Sequence, residues 1–446
     1  MSRKQTYGLQ GDVLVVGTGF AGLAAAIESL NSGAKVIVLG RRNPLASNSA
    51  LGGGTFALVD TPLQRQKGIK DSADLLAKDI LKANRHTIPE DIVNAAAQQG
   101  SQLYDWLVEI GAEFYEVMQY PGHSVPRVHL ERGLDGANTL KLLLKRVMSK
   151  GADVRLGMIA EHLILNEKNE VEGVQASDAG EKTMIKAKRA TILAAGGFGK
   201  NKGMMAKYLP KYAEMPCVSG AGSTGDGIRM GMEAGAEVLN MDAAELYSLG
   251  SAKRGLRILG ISEAMAKGAI LVNKNGQRFT DESKGYALTA PPVMQQPDAI
   301  ALLILDERIL KSVVKLHGNI DRYLKMGLFH YGETAFELAD KTGIDLDNLQ
   351  KTVNRYFPSR NLYGTWVRTI VIQSMGGLKV NSRAQVMHRR GYPIPRLYAA
   401  GDSTPSLGGA ATSDNPCPGY LTGTGYLWAL ASGRIAGQNA AEVTRQ

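Results

Sequence analysis

The chain has 446 residues, more than the roughly 250 to 300 that one hydrophobic core supports, so two domains are expected. Hydrophobic residues make up 44% and charged residues 21%; with no apolar run near the roughly 20 residues that span a bilayer and no signal-peptide core in MSRKQTYGLQ, a cytoplasmic location without an integral membrane segment is expected. The net charge of +10 comes from scattered basic residues with no aromatic-rich nucleic-acid motif, which argues against a nucleic-acid partner and reads as solvated surface able to steer an anion.

The first element is the stretch Gly11-Asp12-Val13-Leu14-Val15-Val16, whose apolar run feeds into Gly17-Thr18-Gly19-Phe20-Ala21-Gly22 and an alanine-rich helix from Leu23 to Leu30. With a second strand at Lys35 to Leu39, this is a strand–turn–helix–strand unit carrying GxGxxG, and a dinucleotide is the expected ligand. Gly17 and Gly19 allow the tight turn, Gly22 lets the helix pack on the strand, and the helix N-terminus faces a pyrophosphate. The position where a carboxylate usually takes the ribose is Gly40, followed by Arg41 and Arg42, so ribose and phosphate contacts must come from elsewhere, with the two arginines as candidates.

Ser47 to Gly54 is a small-residue stretch against which a planar ring can lie. Helical patterns follow at Ser72 to Lys82, Pro89 to Gly111 and Asn138 to Ser149, then strands at Val154 to Leu165 and Val171 to Ala176. Thr191 to Phe198 is a buried strand entering a glycine turn, and Ser223 to Gly227 opens a helix to about Ala234. From 259 to 370 the pattern changes to clustered prolines (Pro291, Pro292, Pro297) and amphipathic helices such as Leu346 to Tyr356, marking a second domain. Leu397 to Asp402 is again strand into glycine turn, and Gly419 to Gly425 opens a last helix, Tyr426 to Val443. Cys217 and Cys417 lie outside any CxxC spacing, which excludes c-type haem and cysteine-ligated iron–sulfur clusters within the chain. Electrons must leave to a diffusible acceptor, oxygen or another protein.

In order and spacing, VVGTGFAGLAAA, the stretch ending in LGGG, ILAAGGFG, GSTGDGIRMGMEAGA, GAILVNKNGQRFTDE, SMGGLKV and LYAAGDST resemble the fumarate reductase and succinate dehydrogenase flavoprotein superfamily, which includes the 3-ketosteroid dehydrogenases. The resemblance implies an α/β fold with an α+β cap: a Rossmann-like FAD-binding domain of residues 11–258 and 371–446, interrupted by a capping domain of residues 259–370. It implies FAD contacts at Gly17, Gly19, Phe20, Ala21, Gly22, Arg41, Arg42, Ser47, Ser49, Gly52, Gly53, Gly54, Ile159, Ala195, Gly196, Gly197, Asp226, Gly401, Asp402, Gly423 and Thr424. Asp402 suits the ribityl chain, and the helix starting near Gly423 and Thr424 suits the flavin N1 and C2 carbonyl. Where the respiratory enzymes link FAD to a histidine, this chain has Asn48-Ser49-Ala50, so non-covalent FAD is expected.

The resemblance departs from the dicarboxylate enzymes at the reacting centre. Ser262 and Glu263 match their Thr-Glu pair, but their catalytic arginine is Tyr286, their His-Thr-Met-Gly-Gly is Gln373 to Gly377, and their carboxylate-binding arginine falls near Thr412. A tyrosine at the cap position is the ketosteroid dehydrogenase pattern, and Pro418-Gly419 resembles their carbonyl-binding turn, although Cys417 stands where they place a second tyrosine. Tyr420, and less directly Tyr120, are candidates for that hydroxyl, against simple core packing. Ser262, Glu263, Gln373 and Gly419 are the expected substrate contacts. The leading expectation is desaturation, or reduction, of the carbon–carbon bond beside a ketone in a small carbonyl compound, with tyrosine moving the α-proton. The alternatives are a fumarate-like or enoate reductase whose anion is held by Arg127, Arg132 or Arg254, and a flavin-carrying electron-transfer subunit. His123 and His129 lie in the segment that borders the site in relatives, but lone histidines are more often surface or structural residues.

Overall fold

The computed structural model describes residues 7–133, 135–258, 260–316, 320–358 and 360–444. Leu259, where the capping segment is expected to begin, lies outside the described residues. β1 (Leu9–Val16) and β2 (Val36–Gly40) are apolar without alternation because both faces are covered, and Val13 to Val16 and Val36 to Leu39 are buried. They sit in an eight-stranded sheet whose main path runs Gln385–Met387, Pro393–Ala399, Glu181–Leu193, β1, β2, Asp153–Leu156. All neighbours along it are parallel except the antiparallel pair at the Gln385–Met387 edge. The structure is therefore a mixed α/β fold with a Rossmann-like sheet and a smaller capping part.

Two glycines of the first turn act through contact. Gly17 sits at φ +127, and a Cβ there would collide with the Ala194 carbonyl; a Cβ on Gly22 would collide with the Gly17 carbonyl. α1 (Phe20–Asn31) then lies against the last helix, Thr424–Glu442, so closely that side chains on Gly433 and Gly437 would overlap the backbone of Ala21 and Ala25. Ser29 Oγ donates to the Gly437 carbonyl at 3.0 Å, and a buried Arg434–Glu28 pair at 2.8 Å closes the seam.

A second, antiparallel sheet orders Ala244–Ser251, Leu362–Ser374, Ile300–Asp306 and Ile270–Val272, with His330–Gly332 also paired to Leu362–Ser374. Its own core includes Leu271, Leu303, Leu349, Val353 and Ile370. It takes one strand from before residue 259 and another that runs past residue 370. These strands escape the sequence pattern because Ile270–Val272 and nearly all of Ile300–Asp306 are buried on both faces. Pro291 and Pro292 lie inside the helix Tyr286–Met294 and do not end it.

The single strand expected over Val154 to Leu165 is two strands. Asp153–Leu156 edges the main sheet, the chain turns at Gly157 (φ +102), and Ile159–Leu165 forms a hairpin with Val171–Asp178. The last helix begins at Thr424, two residues before its expected start, because Gly423 at φ +87 turns the chain into it. No helix among the described residues is long and apolar enough to cross a membrane.

Candidate active site

Where β1 ends and α1 begins, a cavity of about 240 Å³ is bordered by Gly17, Gly19, Phe20, Ala21, Arg41, Ser47, Ser49, Ile159, Ala195, Gly196, Asp226, Gly401 and Asp402. No side chain caps α1 at Gly19, which leaves the Ala21 and Gly22 N–H groups of its first turn for an anion, as a diphosphate requires. The Phe20 N–H donates to Ser49 Oγ at 3.0 Å, tying the small-residue stretch to the glycine turn. Of the other expected cofactor residues, Gly22 and Gly197 stand behind the wall, the latter against Ser374, and Arg42 is exposed in an ion pair with Asp178.

Gly40 is bare for a steric reason, since a Cβ there would run into Thr18. A carboxylate reaches this end of the cavity from another element. Asp226, first residue of the helix Asp226–Glu233, accepts from Arg41 Nη2 at 3.0 Å and from Thr224 Oγ1 at 2.6 Å. Asn48 donates to Asp402 Oδ2 at 2.8 Å and to Gln373 Oε1 at 3.1 Å, and accepts from the Gly220 N–H at 2.6 Å. Burial pushes the Asp402 carboxyl up, and the Asn48 amide pulls it back.

Asn48, Ser49, Asp402 and Ala429 also border a second cavity of about 470 Å³, so the two adjoin. Gly52, Gly53 and Gly423 line its cofactor side; a Cβ on Gly52 would strike the Tyr426 hydroxyl. Gly54 and Thr424 lie next to the lining. The last helix has no side-chain cap at Gly423; its Thr424 N–H donates to the Leu421 carbonyl at 3.2 Å, and the Gly425 and Tyr426 N–H groups form a second free set at this end. Two adjoining cavities with a bare-backbone wall and two helix N-termini that lack side-chain caps fit FAD.

The opposite wall is polar and aromatic. The strand Ala244–Ser251 supplies Glu245 and Tyr247, the following loop Arg257, the helix Ile261–Ala266 supplies Ser262 and Glu263, the helix Tyr286–Met294 its first residue, and the strand Leu362–Ser374 Gln373. Tyr286 Oη donates to Glu245 Oε1 at 3.2 Å, and Gln373 Nε2 donates to Glu245 Oε2 at 3.0 Å. The Tyr286 ring lies 4.9 Å from that of Tyr247 and 6.1 Å from that of Tyr420. Tyr120 Oη donates to Glu263 Oε1 at 2.6 Å and Ser262 Oγ to Glu263 Oε2 at 2.9 Å. Burial raises the Glu245 carboxyl to about 7 against the pull of Arg257, Tyr286 and Tyr420. Burial first, then neighbouring tyrosines and carboxylates, holds Tyr120, Tyr286 and Tyr420 well above the ordinary phenol value. All three are proton-bearing hydroxyls at neutral pH, suited to give a proton more than to take one.

Thus Tyr120, Tyr286, Tyr420, Ser262, Glu263 and Gln373 converge, whereas Gly419 is wedged against Asn84 and Gly408, outside the lining. Arg127 is fully buried and bonded to Asp71 at 3.0 Å and Asp79 at 3.1 Å, Arg132 is exposed on Glu113, and Arg254 is exposed; none borders either cavity. His123 and His129 are buried against Thr422, Thr61 and the Arg127 carbonyl, and desolvation lowers both to about 4, so they are neutral parts of the framework. Sequence reasoning missed Asn48, Glu245, Tyr247 and Arg257. Glu245, a lone carboxylate in the fully buried strand AELYSLGS, carried a usable signal; Arg257, in an irregular loop, carried none.

The family described as FAD binding domain matches residues 12–413. The chain is 29% identical over 458 residues to the fumarate reductase (cytochrome) of Shewanella frigidimarina, covering 98% of this chain and 78% of that one. It is 30% identical over 465 residues to the urocanate reductase of Eggerthella lenta, covering 96% and 74%. The 3-ketosteroid-delta4-(5alpha)-dehydrogenase structure from Rhodococcus jostii RHA1 superposes with a TM-score of 0.77 over 99% of both chains at 24% identity, a likeness of fold. The chain belongs to the FAD binding domain family, within the fumarate reductase and succinate dehydrogenase flavoprotein superfamily. It is an FAD-dependent oxidoreductase of the CH–CH class, acting on enoate-type bonds, and holds its FAD non-covalently.

Proposed function

We propose that this chain works as an ene-reductase, saturating a carbon–carbon double bond conjugated to a single oxygen-bearing acceptor group, with Tyr286 as the proton donor. This places the enoate alternative ahead of the ketone desaturation expected from the tyrosine pattern. The observation that carries the reading is the Tyr286 hydroxyl, bearing its proton between Glu245 and Tyr420 in the cavity wall. A phenol held well above its ordinary value is a poor base for the α-proton of a ketone, and a serviceable acid for the carbanion that forms when an activated alkene accepts hydride.

Bound FAD supplies the hydride to one alkene carbon. Tyr286 Oη gives the proton to the other, and Glu245, near 7, restores it through the 3.2 Å hydrogen bond. Gln373 fixes Glu245 from its other oxygen, and Tyr120 with Ser262 orients Glu263 in the wall. In the same reading the FAD-binding part comprises residues 11–258 and 371–446, residues 259–370 are the cap, Asp402 takes the ribityl chain, and a diffusible donor in the cytoplasm reloads the flavin. The dianion clamp of fumarate enzymes has no counterpart at Gln373 or Thr412.

The test uses holoenzyme reduced anaerobically with viologen and mixed with acrylate, urocanate, fumarate and cyclohexenone. At least one singly activated alkene is expected to restore oxidised-flavin absorbance catalytically, and fumarate is not. Fumarate acting as fast as the best substrate, a saturated ketone being desaturated while no alkene is reduced, or a flavin inert to every compound would each overturn it.

A further inference from the structure

Arg257 is the feature of the cavity that the ene-reductase reading does not use. The loop after Ala244–Ser251 folds back so that Arg257 bridges to Gly250, and the Tyr323 hydroxyl holds its carbonyl at 3.3 Å. Its guanidinium lies 5.4 Å over the Tyr247 ring and reaches across the cavity: Nη2 is 3.9 Å from the point a Cβ on Gly53 would occupy. Nε is enclosed and has no hydrogen-bond partner, and no ion pair to Arg257 is found among the described residues. Burial works against its charge, but Tyr247, Tyr286 and Glu245 outweigh that and keep it protonated. The nearby Glu245 is engaged by Tyr286 and Gln373.

A half-buried guanidinium whose Nε is enclosed and which has no carboxylate partner is costly unless something in its working cycle completes it. Its fork is built for two parallel bonds to a planar anion. Arg322 also borders the cavity but is exposed at its mouth, where water screens it. We infer that Arg257 is the anion-recognition residue of the site, selecting substrates with one carboxylate conjugated to the double bond, and holding that carboxylate so that the alkene lies between the glycine stretch and Tyr286. This rests on the ene-reductase reading for the alkene, and on the unpaired guanidinium alone for the carboxylate.

Binding to the oxidised holoenzyme, which has no electrons to give, separates the two. Crotonate and its neutral isostere crotonamide are titrated by flavin absorbance and calorimetry. Wild type is expected to bind crotonate at least roughly 10-fold more tightly than crotonamide. Arg257→Gln is expected to weaken crotonate by roughly 10- to 100-fold, the span of a charge-assisted hydrogen bond, and crotonamide by less than about 3-fold. Arg257→Lys should keep part of the difference, because it keeps the charge and loses the fork. No preference in wild type, a preference that survives Arg257→Gln, or equal losses for both ligands would overturn the inference. Should Arg257→Gln shed its FAD, the wild-type preference and the lysine variant decide. A reduced enzyme that saturates no alkene while the crotonate preference stands would refute the reaction and leave the anion site intact.

Discussion

Replacing Tyr286 by phenylalanine removes one oxygen atom and leaves the ring. Tyr286 is 8% exposed, and its packing at 4.9 Å against Tyr247 and 6.1 Å against Tyr420 is carried by carbon atoms the variant keeps. The lost hydrogen bond to Glu245 leaves that carboxyl still held by Gln373, so the stability cost is on the order of 1 kcal/mol. The cost to turnover is larger, because a positioned acid contributes roughly 10² to 10⁴ in rate, or about 3 to 5 kcal/mol of barrier. FAD content and substrate dissociation constant should stay near wild type, separating a lost proton from a lost site. The assay is anaerobic stopped-flow, following reoxidation of the reduced flavin by an enoate in water and in heavy water. A Tyr286→Phe rate within about 3-fold of wild type, with proton transfer still limiting by its isotope effect, would refute the donor role and move it to Tyr120 or Tyr420.

Glu245 must carry its proton to restore Tyr286, so turnover is expected to fall as pH rises through about 7, and Glu245→Gln should remove that limb from the pH–rate profile; an unchanged profile contradicts the relay. The same shift has a sign for stability. The carboxyl is raised by burial from its ordinary 4.5 to about 7, so the unfolded chain binds fewer protons in that window and stability is lost as pH rises across it; denaturant titrations at pH 5 and pH 8 should show Glu245→Gln gaining on wild type at the higher pH. Asp402→Ala should weaken FAD retention by roughly 10- to 100-fold with the fold preserved; unchanged affinity by flavin fluorescence would reduce Asp402 to a turn residue. Gly437→Ala puts a methyl group into the Ala25 backbone across the α1 seam, and a loss of roughly 1 to 3 kcal/mol by thermal melting is expected; a melting temperature unchanged from wild type would mean the seam opens without cost.

What the sequence by itself determined is local. The β1–glycine–α1 turn was legible because its chemistry is packed into about a dozen consecutive residues, each constrained by backbone contact with the next element, as Gly17 and Gly22 are. Helices such as Ala73–Ala83, Glu90–Ile110 and Leu346–Tyr356 were legible because one face meets water and the other does not. The capping sheet was not, since strands buried on both faces lose the alternation that solvent imposes, and the break at Gly157 was hidden inside an alternating pattern that reads as one strand. At the site, Tyr286 could be singled out by its place in a shared motif, but the choice between base and acid could not. That choice is set by desolvation and by Glu245, which arrives from a strand 41 residues away. Arg257 became visible only when the antiparallel sheet folded its loop across the glycine stretch, and Arg41 and Asp226, each expected at the cofactor, are paired across 185 residues only by the fold. Long-range strand pairing decides which charges share a low-dielectric cavity, and no spacing along the chain records that.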